Sequence, residues 1–132
     1  MRTIGLLGVP TNSAGTTDGV ARAPQALREA DLATSSAHAE VHDYGDVTLP
    51  DPSPARDARS HVIDPDGLGA LVARVRDAVS PILESGHLPL VIGGDCPLLL
   101  GCLDPGLGTE PSRSPVRRRT RGCVPPRTVD DR

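Results

Sequence analysis

The stretch Leu88-Pro89-Leu90-Val91-Ile92-Gly93-Gly94-Asp95-Cys96-Pro97-Leu98-Leu99-Leu100-Gly101-Cys102-Leu103 decides the fold. An apolar run breaks at a glycine pair, presents one acid and one thiol, and resumes as a second apolar run. A buried parallel strand, a tight turn and a helix read this way. Ligands of such sheets sit beyond the carboxyl ends of the strands, so Asp95 and Cys96 stand where chemistry is expected. The competing reading is a strand-to-helix connection whose glycines serve only the turn, and the local pattern does not separate the two.

Upstream of this stretch lies the clearest amphipathic helix in the chain. Leu68, Leu71, Val72, Val75, Val79, Ile82 and Leu83 recur at three- and four-residue steps. Asp64-Pro65 supplies an N-cap and a proline at the first helical position, Pro81 is expected to kink the last turn, and Gly86 ends it. Before the helix, Thr48 to Ser60 reads as a loop carrying Pro50, Pro52 and Pro54. Ala39 to Val47 alternates partially and reads as a second strand. His38 and His42 fall near its start, the wrong end for a site, so surface or core roles are expected of them. At the N-terminus, Thr3 to Val9 is a short apolar strand ended by Pro10, and Thr11 to Gly19 is a polar loop. That loop lacks both the Walker and the dinucleotide glycine patterns. Pro24 opens a first helix that continues through Leu32. Strand and helix therefore alternate three times, which predicts an α/β domain with a parallel sheet, flanking helices and right-handed crossovers.

Composition narrows the class further. The 132 residues suit one domain, without Phe, Trp or Lys and with Tyr44 as the only aromatic residue, so the core must be small and aliphatic. No apolar run approaches a membrane span and no leader pattern opens the chain, so a soluble cytoplasmic protein is expected. Cys96, Cys102 and Cys123 are odd in number and lack CxxC spacing, which fits free thiols in a reducing compartment. The net charge of −3 conceals a reversal: residues 1–110 hold 7 Arg against 15 acids, a balance of −8, and residues 111–132 hold 7 Arg against 2 Asp, a balance of +5.

Three motifs together resemble the arginase and agmatinase, or ureohydrolase, family. Ala23-Pro24-Gln25-Ala26-Leu27-Arg28, reached through Gly15 and Gly19-Val20, is similar to the family's glycine-containing loop and G-P-x-x-L-R helix start. Asp43-Tyr44-Gly45-Asp46-Val47 resembles its D-x-G-D-V, and Gly93-Gly94-Asp95-Cys96 its G-G-D-H-S turn. Each alone is weak, but they occur in order over residues 3–103. The resemblance implies an arginase-like three-layer α/β/α fold, here incomplete. It implies hydrolysis of a small guanidino or related substrate at a C–N bond, with two manganese ions activating the attacking water. It places Cys96 at a metal-ligand histidine and Asp95 beside it in a supporting role. A thiolate is a poor manganese ligand, and neither a D-x-H-x-D nor a later D-x-D motif follows. No catalytic residue is therefore assigned, manganese is implied by the family alone, and a truncated, inactive form is expected. The absent parts would cover strand edges and apolar surface, and the family's homo-oligomer is not expected to survive. The competing function is a non-catalytic α/β nucleotide-binding or regulatory module using the Thr11–Gly19 loop.

Residues 1–103 are thus expected to form the N-terminal part of such a domain. Residues 104–132 read as a disordered basic tail around Arg117-Arg118-Arg119-Thr120-Arg121. A nucleic-acid role for that cluster conflicts with the acidity of the rest. A frameshift between about Leu103 and Arg113 explains more. Val116 to Cys123 can be encoded by DNA that reads F-V-D-G-H-E-D one base later, an apolar strand end running into D-x-H-x-D. Sequencing the coding DNA checks this: the shifted frame is expected to carry D-x-H-x-D and stay open, and a prompt stop without that motif overturns it.

Overall fold

The computed structural model describes residues 2–33 and 39–107, with side chains to Leu103. Strand β1 (Thr3–Val9) leads through a 3₁₀ turn at Gly19–Arg22 into helix α1 (Ala23–Glu29), followed by β2 (Glu40–Asp46). Helix α2 (Pro65–Glu84), strand β3 (Leu88–Gly93) and helix α3 (Leu98–Leu107) complete the order. The alternation of strands and helices is the one expected, and the sheet is wholly parallel with strand order β2-β1-β3. His38, the tail from residue 108 and Cys123 lie outside the described residues, while α3 runs past the expected boundary at Leu103 to Leu107.

β1 is central because it alone can be buried on both sides. Its residues Leu6, Leu7 and Val9 are all buried. Leu7 and Val9 join Val47, Leu71, Val75, Val79, Ile82 and Leu98 in one core under α2. Leu6 and Gly8, at alternate positions, face the other side, where a Cβ on Gly8 would meet Arg28 of α1. α1 therefore covers one face, with α2 and α3 on the other. The chain runs from β1 to β2 over one face and returns across β1 to β3 over the opposite one. That reversal makes the gap between β1 and β3 the topological switch point, where ligands of open α/β sheets bind.

The ends of α2 form as their residues dictate. Asp64 caps the helix in a left-handed conformation (φ +48°), its Oδ1 accepting from Gly67 N at 3.0 Å. Its Oδ2 accepts from Ser53 N at 3.1 Å, so the same carboxylate ties the preceding loop to the helix. Pro81 is accommodated inside the last turn, with Ser85 N and Oγ both donating to its carbonyl, and the chain leaves at Gly86 (φ +73°). Of the periodic apolar residues, Leu83 is not core: it is 44% exposed. α1 is shorter than expected. It stops at Glu29, and Asp31 turns left-handed (φ +56°) while Leu32 N donates to Leu27 O.

β3 is an edge strand whose Leu88 and Leu90 are exposed, as are Leu99, Leu100 and Leu103 of α3. Among the described residues no strand pairs with the outer edge of β3. Packing of the core is more decisive for stability. Truncating fully buried Ile82 with Ile82→Ala is expected to cost about 2–5 kcal/mol, read from the urea midpoint. Leu83→Ala one residue on is expected to stay within about 0.5 kcal/mol.

Candidate functional site

The carboxyl ends of β1 and β3 are joined by a close approach of two loops. Gly94 lies so near the first loop that a Cβ there would overlap the Thr11 carbonyl oxygen and crowd the backbone of Val20. Glycine is therefore required at this position by contact with backbone, which cannot give way. Beside it, Asp95 Oδ2 accepts from Ser13 N at 3.2 Å, and Oδ1 accepts from the N–H of Cys96 at 2.8 Å. Hydrogen bonds from the Ser13 hydroxyl, from Cys96 N–H and from Ser13 N–H hold the Asp95 carboxyl below the usual carboxylate range.

The Thr11–Gly19 loop is closed upon itself by Asn12. Its Oδ1 accepts from Ala14 N at 3.0 Å, and its Nδ2 donates to Thr16 Oγ1 at 3.1 Å and to Asp18 O at 3.2 Å. Between this loop and the 49–64 loop lies an open cavity of about 500 Å³, floored by Leu68 and Leu71 and rimmed by Arg56, His61 and Pro97. Arg56 Nη1 donates to the carbonyl of His61, which closes the outer loop. The sequence singled out the first loop but not the second wall. Its signal was Asp64, the cap whose carboxylate also holds Ser53.

A second junction fixes β2 against α1. Arg28 forms a bidentate pair with Asp43, Nε to Oδ2 at 2.8 Å and Nη2 to Oδ1 at 3.0 Å. It also donates from Nη1 to Asp46 and from Nη2 to the Gly45 carbonyl at 3.0 Å. The fork geometry of guanidinium matches a carboxylate in this way, which lysine could not do. The bond to Asp43 raises the Arg28 pKa, and the same bond lowers that of Asp43. Two motifs separated in sequence are thus one cluster in space, a link the sequence reading did not draw.

Cys96 is an exposed free thiol at the tip of the turn, and Cys102 is a half-buried one in α3 whose pKa is pushed up by burial. Among the described residues no group of three or more His, Cys, Asp or Glu side chains could hold a metal ion. At the turn itself the donors are one thiol and one carboxylate whose two oxygens already accept N–H bonds. That donor set does not fit a pair of manganese ions, which need several oxygen or imidazole ligands.

The arginase family model matches residues 2–105. The chain belongs to the arginase family. It is 33% identical over 104 residues to the hepatic arginase of Aquarana catesbeiana, covering 77% of this chain and 32% of that protein. Human arginase-1 is 31% identical over 107 residues, with the same shares. The native arginase structure from Bacillus caldovelox superposes with a TM-score of 0.64 at 27% identity, over 80% of this chain and 36% of that one. The chain spans about a third of the length of the relatives it matches. All three sequence motifs lie within the matched region; in this chain the first two meet each other at Arg28, and the third meets the first loop at Gly94 and Asp95.

The Asp95 link carries a pH signature. Its carboxylate is favoured in the folded state, so the stabilisation is complete above the usual carboxylate range and is lost as pH falls through the depressed folded value. Asp95→Asn is therefore expected to flatten the loss of thermal stability between about pH 5 and pH 2, measured by circular dichroism against the parent chain. An unchanged acid profile would show that the link contributes nothing.

Proposed function

We propose that this chain forms the N-terminal part of a ureohydrolase-type hydrolase and has no guanidino-hydrolysing turnover of its own. The observation that carries the reading is the Gly93–Cys96 turn, in an arginase-family sheet and at its switch point, presenting a thiol and an engaged carboxylate. Hydrolysis of a guanidinium C–N bond needs a nucleophilic water at neutral pH, which this family's chemistry obtains from paired metal ions. Cys96 offers sulfur, and Asp95 is committed to Ser13 and to its own turn. Asp95 acts on this reading as the positioning group that fixes the first loop against the turn. Small guanidino compounds are the substrate class of the intact hydrolase. The residues after about Leu103 are an out-of-frame basic tail without a nucleic-acid partner, and the chain is cytoplasmic without the family's homo-oligomer.

A second reading rests on the cavity between the Thr11–Gly19 and 49–64 loops: a non-catalytic module that binds a small molecule such as a nucleotide. Its lining is mixed: aliphatic and prolyl side chains on one side, the hydroxyl and amide groups of the Thr11–Thr17 stretch on the other, together with Arg56 and the carboxylates of Asp51 and Asp64. A concave site with a few polar groups suits small ligands in general.

The two readings separate in one set of measurements. Purified chain with manganese chloride is expected to release no urea from arginine, agmatine or guanidino acids, by colorimetric assay. Manganese-dependent release above a protein-free control would overturn the first reading. A thermal shift with nucleotides, absent under the first reading, would establish the second.

A further inference from the structure

At the opposite end of the sheet from Asp95 stands a cluster of rings that the hydrolase reading does not use. His42 and Tyr44 lie two residues apart on β2 and so share a face, while His87 immediately precedes β3. The His42 and His87 ring centres are 5.8 Å apart, and Tyr44 packs edge-on to His42 at 4.7 Å. The Tyr44 hydroxyl lies 3.0 Å from His87 Nδ1. β1 lies between the two outer strands, and the rings meet across it because the intervening residue is Gly5, paired with both His42 and Pro89. A Cβ at Gly5 would run into Ile82 and come within 3.0 Å of the Tyr44 ring.

We propose that His42 and His87 together hold a borderline divalent cation of the nickel and zinc class, with water completing its shell and Tyr44 orienting His87. Imidazoles coordinate such ions at about 2.0–2.1 Å, which sets two ligating rings on one ion about 5–6 Å apart, centre to centre. The observed separation of 5.8 Å falls within that range. A ligating histidine characteristically has its other ring nitrogen hydrogen-bonded, which fixes the ring and the tautomer. The Tyr44 hydroxyl supplies that bond at His87 Nδ1 and leaves Nε2 for the ion. The pair contains no carboxylate, so it favours nickel, copper and zinc over manganese or magnesium. It is a different site, at a different end of the sheet, from the one the family's hydrolysis would use.

Tyr44 is the only tyrosine and the chain has no tryptophan, so its fluorescence reports on this cluster alone. Nickel chloride, which does not oxidise thiols as copper does, is titrated into the untagged full-length chain at neutral pH. The expected result is saturable quenching with one ion per chain. His42→Gln, at an exposed position, is expected to weaken the apparent affinity about tenfold or more, as is His87→Gln. Cys96→Ser is expected to leave it unchanged, and circular dichroism confirms that each variant is folded. Linear, unsaturable quenching overturns the proposal. So does quenching that persists in folded His42→Gln, or that disappears in Cys96→Ser, because the ion would then be held elsewhere.

Discussion

The junction between the carboxyl ends of β1 and β3 depends on how closely the Gly93-Gly94 turn approaches the backbone of Thr11 and Val20. The constraint is steric and leaves no choice of side chain, because the Cβ of any residue at Gly94 would overlap a carbonyl oxygen. Once the two loops touch, Asp95 can reach Ser13, and a carboxylate bond spans the ends of β1 and β3 at the switch point. The same contact aims Cys96 outward, at the tip of the turn and into solvent. A residue so placed is available for chemistry only if other groups converge on it. Among the described residues none do so as a metal-binding group.

The Arg28 cluster plays the corresponding part on the other side of β1. Asp43, Gly45 and Asp46 lie at the end of β2, and Arg28 lies in the last turn of α1. One guanidinium satisfies two carboxylates and a carbonyl, so the helix and the strand it precedes are fixed in one arrangement. The pair is only partly buried, so its electrostatic worth is modest. Its geometric consequence is larger, since four bonds from one side chain tie the last turn of α1 to the end of β2.

Fold class was legible because its signals are local. Asp64-Pro65, the three- and four-residue apolar steps and Gly86 are short-range patterns, and α2 spans the residues they mark. Thr3 to Val9 likewise reads directly as a strand. Two things were not legible, because they are set by contacts distant in sequence. Leu83 fits the three- and four-residue steps but lies about 100° round the helix from Ile82, at the edge of the stripe formed by Leu71, Val75, Val79 and Ile82, and is exposed. The meeting of His42 and His87 depends on strand order β2-β1-β3, which no local pattern encodes, and on Gly5 leaving room between them. Periodicity marks which residues share a face of their own element, but not which of them meet across a crossover.

The site was legible in a different sense: its residue types were visible, and their connections were not. Gly93-Gly94-Asp95 reads as a functional turn, yet its observed bonds run inward, to the first loop and to its own backbone. The position of Cys96 explains why membership of the family is compatible with the lack of a metal-binding cluster among the described residues. The turn geometry depends on the glycines and on Asp95, all of which are present, whereas the side chain at position 96 takes no hydrogen-bonding part in forming it. The side chain at position 96 can thus vary without disturbing the junction that Gly94 and Asp95 build. Fold and metal chemistry are therefore separable at this turn, and the chain retains the residues that build the junction.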